Sequence, residues 1–570
     1  MCGICGVYGQ KDPTLTTIML DALLHRGPDG SKTEHFPWGS LGFCRLDIFG
    51  SSGVNQPVKT VDQKIAVVFN GEIYNFEDLS SLFPSKDIQD EASLILELYL
   101  AYGEKCFSKL KGMFAIAIMS EDKLLLTRDT TGIKPLVYSI SKNKIYFASE
   151  IKALLRIKED AIEIDEDALA ETAVFGFIFD LEKTMFKSIK QVLPGAYLCF
   201  EKNKVTTNKF SELEKADYGP ELWQKSVTIN KYASLMNEAS ELYLSHSKHD
   251  QAIYLSGGID STLMALFLQK NSGKKLDTFT LFDDERNEDR HYAIKVAHEL
   301  NTNHHEFKTD EDECIKFLDH YLYHYESLVT DGVFNVLGSL AFHILSQKIS
   351  KTHKVAYCGE GADELFGGYY WMHSHPLGLG DRLRTRSASV NNGKTNINEY
   401  IMRKFPDDDS KEADMRQEIF DFLMGPGLTN CHLWSVDRSS AAFSFEARPL
   451  YLYDDLIKWA LSLSIENKVS SDLKTKLILK KYALESGIPL LNEIAGRKKI
   501  GMPYALTNSF KKLISFSETE FKKKKGKVAL PHEEFELYFK TDIEKFMFDR
   551  FYHIFIENRG NDIFGATTNF

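Results

Sequence analysis

The sequence predicts an α/β protein of two domains, on three observations. At 570 residues the chain exceeds what one ordinary hydrophobic core accommodates. Residues 251–269 read QAIYLSGGIDSTLMALFLQ, a short apolar strand, a small-residue turn and a helix, which is the repeating unit of a parallel sheet. Nearer the N-terminus, strand-like runs at 66–69, 113–119, 123–127 and 144–148 surround an amphipathic helix over 91–102. From 201 to 230 the chain turns polar and mixed in charge, as a linker does. The predicted domains are therefore 2–205 and 225–570.

Composition excludes several classes. The net charge of −12 argues against nucleic acid as the main partner. The basic run Lys522–Lys525 reads as a solvated helix end. No apolar run is long enough to span a bilayer. The first residues, MCGICGVYG, lack the basic and apolar regions of a secretory signal, so the cytoplasm is the expected location. The 8 cysteines are scattered, with Cys2 and Cys5 the one close pair, which is neither a disulfide framework nor a complete metal site.

The turn at Leu255-Ser256-Gly257-Gly258 opens a helix, so backbone N–H groups and the positive end of the helix dipole converge on one point. An anion is stabilised there without a basic side chain, and the glycines let a phosphate approach the backbone closely. Ser256 and Ser261 add hydroxyl donors, and Asp260 is placed to hold Mg²⁺ beside the phosphates. The pattern SGG-x-DS resembles the pyrophosphate loop of the ATP pyrophosphatases, which cleave ATP between the α and β phosphates. It is not a Walker A loop, because no Gly-Lys-Ser/Thr follows.

Cys2 is the second chemical centre. Once Met1 is removed, Cys2 carries a thiol and an α-amine of pKa about 7.7–8.0, so one residue supplies nucleophile and base. On position alone it reads as a small buried residue near a chain end. The segments HRGPD (25–29), FCRL (43–46), FNGEIYNF (69–76), RDTTGIKP (128–135) and FASEIKAL (147–154) change that. Together they resemble the glutaminase domain of class II amidotransferases, an N-terminal-nucleophile hydrolase sandwich of αββα layers. The resemblance implies Cys2 as nucleophile, Asn70 and Gly71 as oxyanion hole, and Arg45 on the glutamine α-carboxylate. It places Glu72 and Asp90 at the α-ammonium, although Asp90 also reads as a cap for the helix at Glu91. Arg26 is a supporting residue and His25 a structural one.

Further along, LDTFTLF (276–282) reads as the next strand, with Phe282 a candidate adenine neighbour. The adjacent His304 and His305 make a poor metal site, since neighbours on a strand face opposite ways. After a strand at 354–358, GEGADELFGGYY resembles a segment of asparagine synthetases. That resemblance makes Gly359 and Glu360 nucleotide neighbours, Glu360 a general base and Asp363 a Mg²⁺ ligand with Asp260. In WSVDRSSAAFSFEAR (434–448), Glu446 and Arg448 read as supports of the fold. RKKIGMP (497–503) implies Lys499, or Lys498 after a one-residue slip, as the cation meeting the adenylate; Lys476 is a second candidate cation, but its place in a helical run reads first as an exposed lysine.

The combination resembles the glutamine-hydrolysing asparagine synthetase family: an α/β ATP-pyrophosphatase domain with a parallel sheet, fused behind a glutaminase. It implies ATP and Mg²⁺ as cofactors, glutamine and a carboxylate acceptor as substrates, with aspartate as default, and homodimers, which related enzymes often form. Three departures make another carboxylic acid the rival: Tyr453 at a usual Asp position, Cys358 for a serine, and the segment 326–335. A glutaminase with a regulatory nucleotide domain is the alternative from another class.

Overall fold

The computed structural model describes the chain except residues 50–52, 159, 212–224, 329–337, 370–375, 391–396, 405–417, 471, 473, 498–505, 525–534, 536–537, 540 and 563–570. The N-terminal half contains β1 (Gly3–Tyr8), β2 (Ser31–Phe36), β3 (Gly39–Cys44), β4 (Val58–Lys59), β5 (Ile65–Ile73), β6 (Gly112–Ser120), β7 (Lys123–Arg128), β8 (Val137–Ser141), β9 (Lys144–Ala148), β10 (Lys190–Gln191), β11 (Ala196–Glu201) and β12 (Lys204–Lys209). They form two sheets, ordered β10-β8-β9-β1-β3-β2 and β12-β11-β7-β6-β5-β4.

Strand alternation builds the layers. On β1, Ile4 and Tyr8 enter the core between the sheets, while Cys5 and Val7 face the opposite side. On β5, Ala66 and Val68 point inward, while Val67 and Phe69 pack with Ile95 and Leu98 of the outer helix Glu91–Tyr102. Helix Pro13–Asp21 covers the other sheet. This is the αββα sandwich the resemblance implied. Cys2 shares parity with Ile4, and Asn70 with Val68, so both side chains reach the space between the sheets.

The expected linker is partly a strand. Residues 204–209, KVTTNK, form β12, paired with β11 and exposed throughout. An edge strand facing water needs no apolar residue, so its composition imitates a linker.

The C-terminal half is built on five parallel strands: β13 (Gln251–Tyr254), β14 (Asp277–Phe282), β15 (Asn303–Lys308), β16 (Val355–Cys358) and β17 (Glu446–Pro449), ordered β15-β14-β13-β16-β17. Both faces are covered, as parallel sheets require. Ala252 and Tyr254 pack towards helix Gly338–Ser350, and Ile253 and Leu255 towards helix Ile259–Asn271. The order reverses between β13 and β16, so their C-terminal ends open a crevice of the kind that binds ligands in α/β sheets. No helix among the described residues is long and apolar enough to cross a membrane.

The two halves are joined by buried charge. Glu446 at the start of β17 lies 3.3 Å from the Met1 ammonium, 2.9 Å from Lys134 Nζ and 2.8 Å from Arg448 Nε. Arg448 also reaches Glu72 Oε1 at 3.0 Å. These positive groups hold the Glu446 carboxyl well below its ordinary range despite full burial. Glu446→Gln leaves Lys134 and Arg448 short of a counter-charge, an error that costs about 3–5 kcal/mol. Urea denaturation followed by fluorescence measures it; a cost under about 1 kcal/mol would mean that the cluster is not holding the domains.

Candidate functional sites

The first site lies around Cys2, at the end of β1. The Cys2 N–H donates to Asn70 Oδ1 at 2.8 Å, and Arg26 Nε donates to the Cys2 carbonyl at 3.0 Å. Arg26 is itself fixed by Glu150 at 2.6 Å and Asp437 at 2.9 Å. Asn70 is fully buried, and its Nδ2 has no hydrogen-bond partner among the described residues. A buried amide donor with nothing to donate to is what an oxyanion hole needs. Gly71 has φ +151°, and a Cβ there would lie 2.0 Å from the Met113 carbonyl, so only glycine fits. Burial pushes the Cys2 thiol up while the amino terminus pulls it down. With Met1 gone, that ammonium would sit on Cys2 itself.

The other residues expected around glutamine are partly committed elsewhere. Arg45 Nη2 donates to Asp47 Oδ1 at 2.7 Å and to the Phe49 carbonyl, and Nη1 to the Gly53 carbonyl. Burial lifts the Glu72 carboxyl to about 7, opposed by Arg448. Asp90 caps helix Glu91–Tyr102 by accepting from Ser93 N–H at 2.8 Å. His25 pairs with Glu150 at 3.0 Å, and its ring meets that of His324 edge-on at 4.6 Å.

The second site opens at the C-terminal ends of β13 and β16. Leu255 N–H donates to the Phe279 carbonyl at 2.9 Å, which fixes the strand end. The Ser256 and Ser261 hydroxyls lie 3.0 Å apart across the turn. Gly257 has φ +71°, and a Cβ there would meet the Ala293 nitrogen at 2.5 Å; Gly258 caps the helix with extended backbone. Arg497 closes the loop, donating to the Gly257 carbonyl at 3.0 Å and to Asp289 at 2.9 Å. Phe282, at the end of β14, lies under the Arg290 guanidinium.

Across the crevice, Gly359 packs against Asp260, with an added Cβ 3.6 Å from the Asp260 Cβ. Glu360 follows, its carboxyl raised by burial. Asp363 lies on the short helix Ala362–Phe366. Asp260 and Asp363 meet on one ammonium, that of Lys476, which is 2.6 Å from Asp363 Oδ1 and in contact with Asp260 Oδ2. Lys476 therefore departs from expectation. It is buried, with φ +55°, at the cap of helix Leu477–Glu485, and its side chain turns inward. The two carboxylates hold a cation between them, so they fit a divalent ion as well. Lys498 and Lys499 lie outside the described residues.

Of the departures around the acceptor, Glu326 makes a contact between domains, while Tyr453 and Cys358 bind within the C-terminal half. Asp454 accepts the Gly112 N–H at 3.0 Å, and burial lifts its carboxyl to about 7. Tyr453 donates to Asp455 at 3.1 Å and to Glu238. Glu326 accepts the N–H groups of Ile151 at 2.9 Å and Lys152 at 2.8 Å; residues 329–335 lie outside the described ones. Cys358 is buried beside Glu360. Glu446 and Arg448 support the fold as expected, but they do so against Met1 and Glu72, at the edge of the first site.

A sandwich with a cysteine at position 2 beside an amide nitrogen that has no partner among the described residues, followed by a parallel sheet with an SGG loop, defines an amidotransferase fused to a synthetase domain. Residues 1–211 match the model of a glutamine amidotransferase domain, and residues 231–553 that of asparagine synthase. The chain belongs to the asparagine synthase family, a family of ligases. It is 30% identical over 396 residues to asparagine synthetase [glutamine-hydrolyzing] 1 of Bacillus subtilis, a match covering 66% of this chain and 60% of that protein. It is 28% identical over 560 residues to asparagine synthetase [glutamine-hydrolyzing] 3 of the same organism, covering 89% and 87%. Among solved structures, a glutamine phosphoribosylpyrophosphate amidotransferase from B. subtilis aligns with TM-score 0.30 and 17% identity over 50% of this chain and 67% of that one.

Removing the ammonium between Asp260 and Asp363 leaves two carboxylates facing each other. Lys476→Met therefore binds Mn²⁺ without nucleotide about tenfold more tightly than the parent, by electron paramagnetic resonance titration. Equal affinity would mean that the two carboxylates do not act together on a cation.

Proposed function

We propose that this chain hydrolyses glutamine at Cys2 and uses the released ammonia to amidate a carboxylate activated by ATP. Aspartate is the default acceptor, giving asparagine, because the curated relatives are named asparagine synthetases. The observation that carries the reading is the pairing of Asp260 and Asp363 on one cation in the sheet crevice, in a chain whose Cys2 lies beside Asn70, the Nδ2 of which has no partner among the described residues.

In the first half-reaction the Cys2 thiolate attacks the glutamine side-chain amide, with the α-amine taking the thiol proton. Asn70 Nδ2 and the Gly71 N–H meet the negative charge that develops on oxygen. Arg45 takes the α-carboxylate as a fork, exchanging part of its bond to Asp47 for the substrate. Glu72 and Asp90 lie on the α-ammonium side. The Cys2 α-ammonium returns its proton to the amide nitrogen, so ammonia departs and leaves a glutamyl thioester on Cys2, which water hydrolyses to release glutamate and the free thiol.

In the second, the ATP phosphates bind the Ser256–Ser261 turn, with adenine near Leu255 and Phe282. Asp260 and Asp363 would hold Mg²⁺, which when bound neutralises phosphate charge. Lys476, beside these carboxylates, would supply a cation towards the phosphates to stabilise departing pyrophosphate; Lys499 is a second candidate for that role. A bare carboxylate has no adequate leaving group, and adenylation supplies one. Glu360, with its raised carboxyl, is placed to take the proton that ammonia sheds on attack. AMP and an amide are the products. We place the reaction in the cytoplasm, in a homodimer.

Cys2→Ala is expected to abolish amide formation from ¹⁵N-labelled glutamine while AMP release with added ammonia persists within about twofold. AMP release measured across aspartate, sugar acids and peptide acids identifies the acceptor. Release with none of these, alongside intact glutamine hydrolysis, would replace this reading with a glutaminase regulated by nucleotide.

A further inference from the structure

The loop that holds Arg45 is gripped from the other domain. Asp47 Oδ1, which binds Arg45 Nη2, also accepts from Lys248 Nζ at 2.7 Å. The Asp47 carbonyl lies 2.6 Å from His249 Nε2, and Lys248 N–H donates to the Ile48 carbonyl at 3.1 Å. The Phe49 ring stacks on His246 at 4.8 Å. On the other side of Arg45, Asp29 is its backbone partner: Asp29 N–H donates to the Arg45 carbonyl at 2.9 Å. Asp29 Oδ2 accepts from Asp47 N–H at 2.7 Å and from Lys354 Nζ at 2.7 Å.

Lys248 precedes β13 by three residues, and Lys354 directly precedes β16. These are the strands whose other ends carry the phosphate turn and Glu360. We propose that Lys248 and Lys354 are positioning residues for glutamine, so that the synthetase domain completes the glutamine site. The inference rests on the glutamine-hydrolysing reading above. Lys248 draws Asp47 charge away from Arg45, which leaves the guanidinium more available to the substrate carboxylate. Lys354 fixes Asp29, and with it the backbone on which Arg45 sits. Neither lysine meets substrate.

Each pair is about one-third exposed, so a single change has a small effect and the double change is the test. In the full-length Lys248→Ala/Lys354→Ala variant, the KM for glutamine in glutamate release is expected to rise about fivefold. The kcat of glutamate release and the rate of ammonia-dependent AMP release should stay at parental values. The Lys248→Arg/Lys354→Arg variant should restore KM. An unchanged KM overturns the proposal. So does a parallel fall in ammonia-dependent AMP release, or a rise in KM that arginine does not reverse, because each signals a structural role only. Failure of the underlying reading has a different signature: glutamate release would survive Cys2→Ala.

Discussion

The structure depends on the way the N-terminal ends of three parallel strands meet the glutaminase sandwich. Glu446 opens β17 and gathers Lys134 and Arg448, two partners that remain once Met1 is removed; Arg448 carries the contact on to Glu72. Lys354 and Lys248 precede β16 and β13 and bind Asp29 and Asp47. A strand of four residues spans only about 13 Å. Each therefore makes a short, stiff spacer between a glutaminase contact at one end and the crevice at the other. Because all three run parallel, the crevice necessarily opens away from the sandwich.

Burying so much charge is costly unless every group is paired. Here the pairing is dense: Arg26 takes Glu150 and Asp437, Arg438 takes Glu326 at 3.1 Å, and Lys134 takes Glu446. Apolar packing would hold two domains at lower cost, but it tolerates sliding. Hydrogen-bonded ion pairs with fixed directions do not, and Cys2, whose carbonyl is held by Arg26, inherits that precision.

Much of this was legible in the sequence because it is local. The Ser256–Ser261 turn is read from adjacent residues. Helix 91–102 and the strand at 144–148 lie where the pattern put them. What could not be read is long-range. Lys476 sits among lysines in KTKLILKK, and helical periodicity sends it to solvent; only its left-handed backbone at the helix cap turns it inward, onto an aspartate 216 positions earlier. Tyr453 stood at the position of a usual aspartate, yet the neighbouring Asp454 makes the contact to Gly112 across the domain boundary, which no local pattern encodes.

The Lys476 clasp also bears on the order of events. A buried ammonium between Asp260 and Asp363 lies on both carboxylates and compensates their like charges. A divalent ion held by the same two carboxylates would displace the lysine, and a displaced buried lysine needs a new anion. Phosphate at the adjacent turn is such an anion. Metal and nucleotide would thereby be linked: either alone would leave a charge unmatched, and both together would match all three groups. The crevice should on this argument take the metal–nucleotide complex as a unit.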